Sequence, residues 1–242
     1  MQAAPTTREF SASLRAVIDE FSALLPDADE QVQVPTCPGW TVWDLVVHLG
    51  TIHRWAASIL LSGKMHSAVT PLIRRPLDEW YRSTADALLA AIDAVAPDEP
   101  IPNFAKVDEY ASFWVRRQLH ETTVHLYDLT TALSAPEIPI SSGTAADGVE
   151  EIFTVFFRRL VSKGTPPDVR ENIRIQMTDL DDGWVLVPGD PVELRPFDTP
   201  SAASVSGSAL DLYLGLWGRV PIERLHFTGD SARALLEGPT SI

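Results

Sequence analysis

Before residue 135, apolar residues recur at helical spacing in four stretches, roughly Thr7 to Leu25, Thr41 to Leu61, Leu77 to Val95 and Glu109 to Leu133. They predict a four-helix bundle. The breaks between them carry turn chemistry: Pro26-Asp27-Ala28-Asp29, Pro35 to Gly39, and Pro97-Asp98-Glu99-Pro100. Thr41 is followed three residues later by Asp44, an acidic variant of the capping box, which fixes where the second helix starts and hence the register of His48.

Past residue 135 the pattern changes. Ala135-Pro136, Ile138-Pro139 and Ser141-Ser142-Gly143 mark a linker, dividing the chain into expected domains at 1–135 and 136–242. A helix is expected from about Thr144 to Val161. Short alternating runs follow at Asn172 to Thr178, Trp184 to Val187 and Val192 to Phe197, separated by Asp181-Asp182-Gly183 and Pro188-Gly189-Asp190, and they read as an antiparallel meander. A helix at Ser208 to Trp217 and a strand at Leu225 to Phe227 complete the expectation of an α+β fold: a four-helix bundle followed by a small α+β domain with an antiparallel sheet.

The polar positions on the helices carry the candidate chemistry. Glu121 and His125 are spaced i, i+4, about 40° apart on one helical face. Trp114, Arg117 and Asp128 project near the same face, where a bundle core would hold Leu and Val. Buried polar groups must be paired, hydrogen-bonded or coordinated. On the second helix, His48 shares a face with Thr41, Asp44, Ile52 and Trp55, so the packed helices would bring two imidazoles and one carboxylate together. Zinc accepts such a set and keeps a fourth position open, and Asp128 would then orient an imidazole from outside. Simpler readings stay open: Arg117 and Glu121 form a good i, i+4 ion pair by themselves, and a lone His on an apolar face is commonly a satisfied core residue. His53, His66, His120 and His226 have no convergent partners in the sequence and read as surface or structural residues.

Charge narrows the partners. The chain of 242 residues has 33 acidic and 19 basic side chains, a formal charge of -14. That field repels phosphate backbones and anionic lipid, so no nucleic acid and no membrane partner is expected. A small anionic substrate remains possible, because an Arg or a metal reverses the sign locally. Met1 to Glu20 has neither the basic start nor the apolar core of a signal peptide, and no uninterrupted apolar run reaches membrane-spanning length, which points to the cytoplasm. Cys37 is the one cysteine. Although it precedes a helix N-terminus, nothing basic stands beside it in sequence, so it reads as a buried, inert thiol. No Walker or dinucleotide loop, nucleophile elbow or paired-cysteine zinc motif is present. A monomer is favoured.

Two stretches, Val34-Pro35-Thr36-Cys37-Pro38-Gly39-Trp40-Thr41-Val42-Trp43-Asp44-Leu45-Val46-Val47-His48-Leu49-Gly50 and Arg116-Arg117-Gln118-Leu119-His120-Glu121-Thr122-Thr123-Val124-His125, resemble the mycothiol-dependent maleylpyruvate isomerase family. The resemblance spans nearly the whole chain. It implies a DinB-like metal-binding bundle with ligands at His48, Glu121 and His125, a C-terminal domain similar to sterol-carrier proteins, and zinc and mycothiol as cofactors of an actinobacterial enzyme. The run Leu214-Gly215-Leu216-Trp217-Gly218-Arg219 resembles a family segment ending in an arginine implicated in the reaction, which implies a catalytic role for Arg219; a helix C-terminal cation meeting the dipole is the alternative. One departure concerns the pocket: many relatives have a basic residue after the second metal His, where this chain has Leu126.

The implied reaction is cis-trans isomerisation of maleylpyruvate, or a related electrophile, by thiolate addition, rotation and elimination. Thiol S-transfer needs the same parts without elimination. Metal-assisted hydrolysis would use water instead of sulfur, and a non-catalytic small-ligand-binding protein would need neither.

Overall fold

The computed structural model describes residues 6–136 and 139–240, so Glu137 and Ile138 of the expected linker lie outside the described residues. The described residues divide into two compact units, 6–136 and 139–240.

The first unit is the helical bundle: α1 (Thr7–Ala23), α2 (Val42–Ser62), α3 (Leu77–Ala94) and α4 (Ala111–Leu133). The start of α2 follows from its cap, since Thr41 Oγ1 accepts the Asp44 N–H while Asp44 accepts the Thr41 N–H. Gly63 ends the same helix in the left-handed region at φ 64°. α4 begins two residues later than the sequence suggests, because Tyr110 is extended and bridges to Pro100. α2 lies between α3 and α4, and α1 packs on α4 and more lightly on α3. Leu14, Ile18, Phe21, Leu45, Leu49, Ile59, Tyr81, Leu88, Trp114 and Leu119 fill the core. Gly50 allows the tight α2–α3 approach: a Cβ there would stand 2.5 Å from the Trp80 ring.

α2 is long and apolar enough to cross a bilayer by length and composition, but most of its most apolar window is buried inside the bundle. That is how the central helix of such a bundle reads.

The second unit is α+β. α5 (Ser142–Glu151) runs through one π-turn (Ile152–Phe156) into α6 (Phe157–Ser162). The strands β1 (Ile173–Met177), β2 (Asp182–Val187), β3 (Glu193–Pro196), β4 (Ala203–Gly207) and β5 (His226–Thr228) form one sheet in the order β3-β2-β1-β4-β5. α7 (Ala209–Leu216) follows β4, and α8 (Asp230–Glu237) follows β5. Ile173, Ile175 and Met177 alternate with half-buried Arg174 and Gln176, so one face of β1 enters the core.

The sheet corrects one expectation, because it is mixed rather than wholly antiparallel. β1 to β3 form the expected meander, but β4 inserts on the other side of β1 and runs parallel to it, Ile175 opposite Val205. The chain returns across the sheet between β3 and β4, and it is held there by side chains of β1 and its leading residue. Arg174 lies 5.0 Å from the Phe197 ring centroid, and Asn172 donates to Pro200 O at 2.9 Å.

Candidate metal centre

α2 and α4 are antiparallel neighbours: His48 meets Glu121 and His125, and two turns further along α2 the Trp55 ring meets Trp114 at 5.1 Å. His48 Nε2 stands 3.2 Å from Glu121 Oε1, and His125 Nε2 stands 3.5 Å from the same oxygen. The two imidazole rings are 5.0 Å apart, edge to face. Donor atoms about 3.3–3.5 Å apart match the edge of a tetrahedron whose corners lie about 2.1 Å from a common ion. The three residues therefore fit a divalent cation with one coordination position left over.

The surroundings hold this set in place. Arg117, buried, donates to the second oxygen of Glu121 at 2.7 Å, so the predicted i, i+4 pair exists alongside the cluster and does not replace it. Asp128, fully buried one turn past His125, accepts from His125 Nδ1 at 2.9 Å. The orienting contact expected of Asp128 is thus formed. Burial raises the Glu121 carboxyl, but hydrogen bonds from His125 and His48, with the charge of Arg117, outweigh it and hold the group well below the usual carboxylate range. Burial lowers His125, and its bonds to Asp128 and Glu121 reverse that, so its pKa is raised. His48 is the most open of the three, with 35% of its side chain exposed against 8% for His125. The approach to the cluster is on the His48 side.

The loop before α2 supplies parts that sequence reasoning missed. The Trp40 ring lies 4.9 Å from His48 and 6.2 Å from His125, stacked on the latter. Thr36 Oγ1 donates to Asp128 Oδ1 at 2.6 Å, and Cys37 Sγ lies 3.4 Å from Asp128 Oδ2. Cys37 is therefore a half-buried group beside an imidazole, in a second cluster with His125 and Asp128, rather than the buried thiol without a basic neighbour that was expected. The loop's proximity to α4 places it there. The Pro-Gly-Trp sequence was visible, but no periodicity connects a loop to a helix face about ninety residues away.

His53 and His120 are buried, as structural histidines would be. His53 Nε2 bonds Thr122 Oγ1 at 3.1 Å; burial pushes its pKa down to about 3, with Glu121 pulling it up and His125 and His48 pushing it further down. Leu126, the departure from the family pattern, is also buried, so the change falls in the bundle interior.

In the second unit, Arg219 closes α7 in a Schellman turn: its N–H bonds Leu214 O, the Gly218 N–H bonds Gly215 O, and Gly218 has φ 67°. The Arg219 guanidinium donates to Trp217 O at 2.8 Å, which is the helix-terminal arrangement weighed against a catalytic role.

Residues 11–130 match the family model of the mycothiol maleylpyruvate isomerase N-terminal domain, and residues 144–236 match that of the MDMPI C-terminal domain. Among solved structures, the chain is similar to the mycothiol-dependent maleylpyruvate isomerase at 14% identity, with 93% of each chain covered and a TM-score of 0.65. A histidine-to-alanine mutant of that isomerase matches at 15% identity with the same coverage and TM-score. At such identities the likeness is one of fold. No curated protein matches.

Proposed function

This chain belongs to the mycothiol maleylpyruvate isomerase family, and from that premise we propose that it is a cytoplasmic, metal-dependent isomerase that uses a low-molecular-weight thiol, mycothiol, to convert maleylpyruvate or a related small cis-alkene electrophile to the trans isomer. The observation that carries this is the convergence of His48 Nε2 and His125 Nε2 on one oxygen of Glu121, at 3.2 and 3.5 Å.

His48, Glu121 and His125 would hold the ion, zinc by its preference for this donor set. Bound there, the metal supplies a deprotonated thiol at neutral pH. The residues of the chain do the positioning. Glu121 offers Oε1 to the centre while Arg117 holds Oε2, so the carboxylate keeps its orientation when a ligand enters or leaves. Asp128 takes the Nδ1 proton of His125 into a hydrogen bond and leaves Nε2 directed at the centre. Trp40 excludes water from one side of both imidazoles. In the reaction, the cosubstrate sulfur adds to the activated double bond, the resulting single bond rotates, and elimination releases the trans product with the thiol regenerated. Arg219 is proposed to pair with a carboxylate of the substrate.

The test is metal content by mass spectrometry together with product analysis. About one zinc per chain, lost in His48→Ala and Glu121→Ala, with mycothiol-dependent isomerisation in the wild type, supports the proposal. A stable thioether product reassigns the chain to S-transfer, and activity without any thiol reassigns it to hydrolysis. Protein that stays empty after zinc supplementation overturns the metal reading and leaves a ligand-binding role.

A further inference from the structure

Asp128 can steer His125 only if its own carboxylate is held, and the loop before α2 brings two further donors to it. Its Oδ2 faces both His125 Nδ1 at 2.9 Å and Cys37 Sγ at 3.4 Å, while its Oδ1 accepts from Thr36 at 2.6 Å. The torsion that turns a carboxylate about its Cβ–Cγ bond is soft and broad. A thiol is a weak donor, and this one shares the oxygen that His125 already uses, so it adds little to the orientation of the plane. The Thr36 hydroxyl, a short bond of 2.6 Å to the opposite oxygen, sets that plane.

Thr36 is itself fixed. Its loop is closed by Val34 N–H to Trp40 O at 2.9 Å, Cys37 N–H to Val34 O at 3.0 Å and Trp40 N–H to Cys37 O at 3.0 Å, and a β-bridge joins Gln33 to Thr41 just outside it. Gly39, at φ 86°, makes the turn that lets Trp40 come back over the imidazoles. One small rigid loop thus touches the centre at both ends, through Asp128 at Thr36 and on the rings at Trp40.

We propose that Thr36 is a positioning residue: by fixing the Asp128 carboxylate it holds Nδ1–H of His125 in place and aims Nε2 at Glu121 and His48. This inference rests on the metal reading for its functional meaning but not for its geometry, and the experiment separates the two. The variants are Thr36→Val, which keeps the shape and removes the hydroxyl, and Thr36→Ser, which keeps the hydroxyl. Two quantities are read in each: the ¹H–¹⁵N NMR signal of the His125 Nδ1–H in metal-free protein, and zinc affinity by competition with a chromogenic chelator. The expected result is a protected Nδ1–H in the wild type, its loss in the valine variant with zinc affinity reduced about tenfold or more, and recovery of both in the serine variant. Wild-type protein without a protected Nδ1–H, a valine variant that keeps the signal, or a serine variant no better than valine overturns the proposal. If the NMR pattern holds while wild-type protein takes up no zinc, the positioning role stands and the metal reading fails.

Discussion

His125 and Asp128 sit one helical turn apart, and the 2.9 Å contact between Nδ1 and Oδ2 decides which nitrogen of the imidazole faces Glu121. An ionised carboxylate only accepts hydrogen bonds, so Nδ1 carries a proton and Nε2 is the nitrogen left for the centre. Asp128→Asn removes that constraint, because an amide can donate to Nδ1 or accept from it. Zinc affinity is expected to fall about 10- to 100-fold, read by chelator competition, while Asp128→Glu is expected to fall between wild type and asparagine. An asparagine variant with wild-type affinity would show that the ring needs no orienting partner.

Glu121 serves both imidazoles and Arg117 at once, and removing it exposes the cost. Arg117 retains only 4% side-chain exposure and Glu121 16%, so Glu121→Leu leaves a buried guanidinium without this partner. The expected destabilisation of metal-free protein is about 3–5 kcal/mol by urea denaturation. In the double variant Arg117→Met, Glu121→Leu most of that loss should return, while zinc binding stays abolished. If the double variant is as unstable as the single one, the Arg117–Glu121 pair is not the source of the loss.

Much of the bundle and its centre is legible in the chain, and the reasons are local. A helical period of 3.6 put Glu121 and His125 on one face, and the Thr41–Asp44 box set the register of His48 within a turn. What was not legible depends on contacts between distant segments. β4, Ala203-Ser204-Val205-Ser206-Gly207, has one strong strand former, and its identity comes from pairing with β1 and β5 on either side. The π-turn at Ile152–Phe156 breaks no hydrophobic period, so the sequence shows only one continuous helix there. Short α8 is too brief for its pattern to stand out. Thr36 and Cys37 meet Asp128 across the fold, where no spacing rule reaches.

Histidine 53 should make the metal-free protein sensitive to acid. Its folded pKa is pushed from 6.5 down to about 3, chiefly by burial, so between these values the unfolded chain binds the proton and the folded one does not. The stabilisation is complete above pH 6.5 and is lost as pH falls toward 3. The slope from this one group approaches about 1.4 kcal/mol per pH unit once the pH is well below 6.5. Urea midpoints of wild type and His53→Gln, compared at pH 7 and pH 5, should converge at the lower pH. A difference between them that stays constant with pH would mean that His53 titrates normally in the fold.

Trp40 offers an optical report on the centre, because its ring is within 4.9 Å of His48 and stacks on His125 at 6.2 Å. The chain has seven tryptophans, so a signal has to be assigned by difference. A paramagnetic ion held by the three ligands, such as cobalt(II), quenches a neighbouring indole far more than distant ones. Titrating wild-type protein with cobalt should therefore lower its tryptophan emission to a saturating value, and Trp40→Phe should lose the larger part of that change. The phenylalanine ring still covers the imidazoles, so cobalt affinity measured by the chelator should stay within about threefold, a difference of under 1 kcal/mol. Quenching that survives in the variant would place the bound ion away from His48 and His125, and a large loss of affinity would mean that the indole itself stabilises the ligand set.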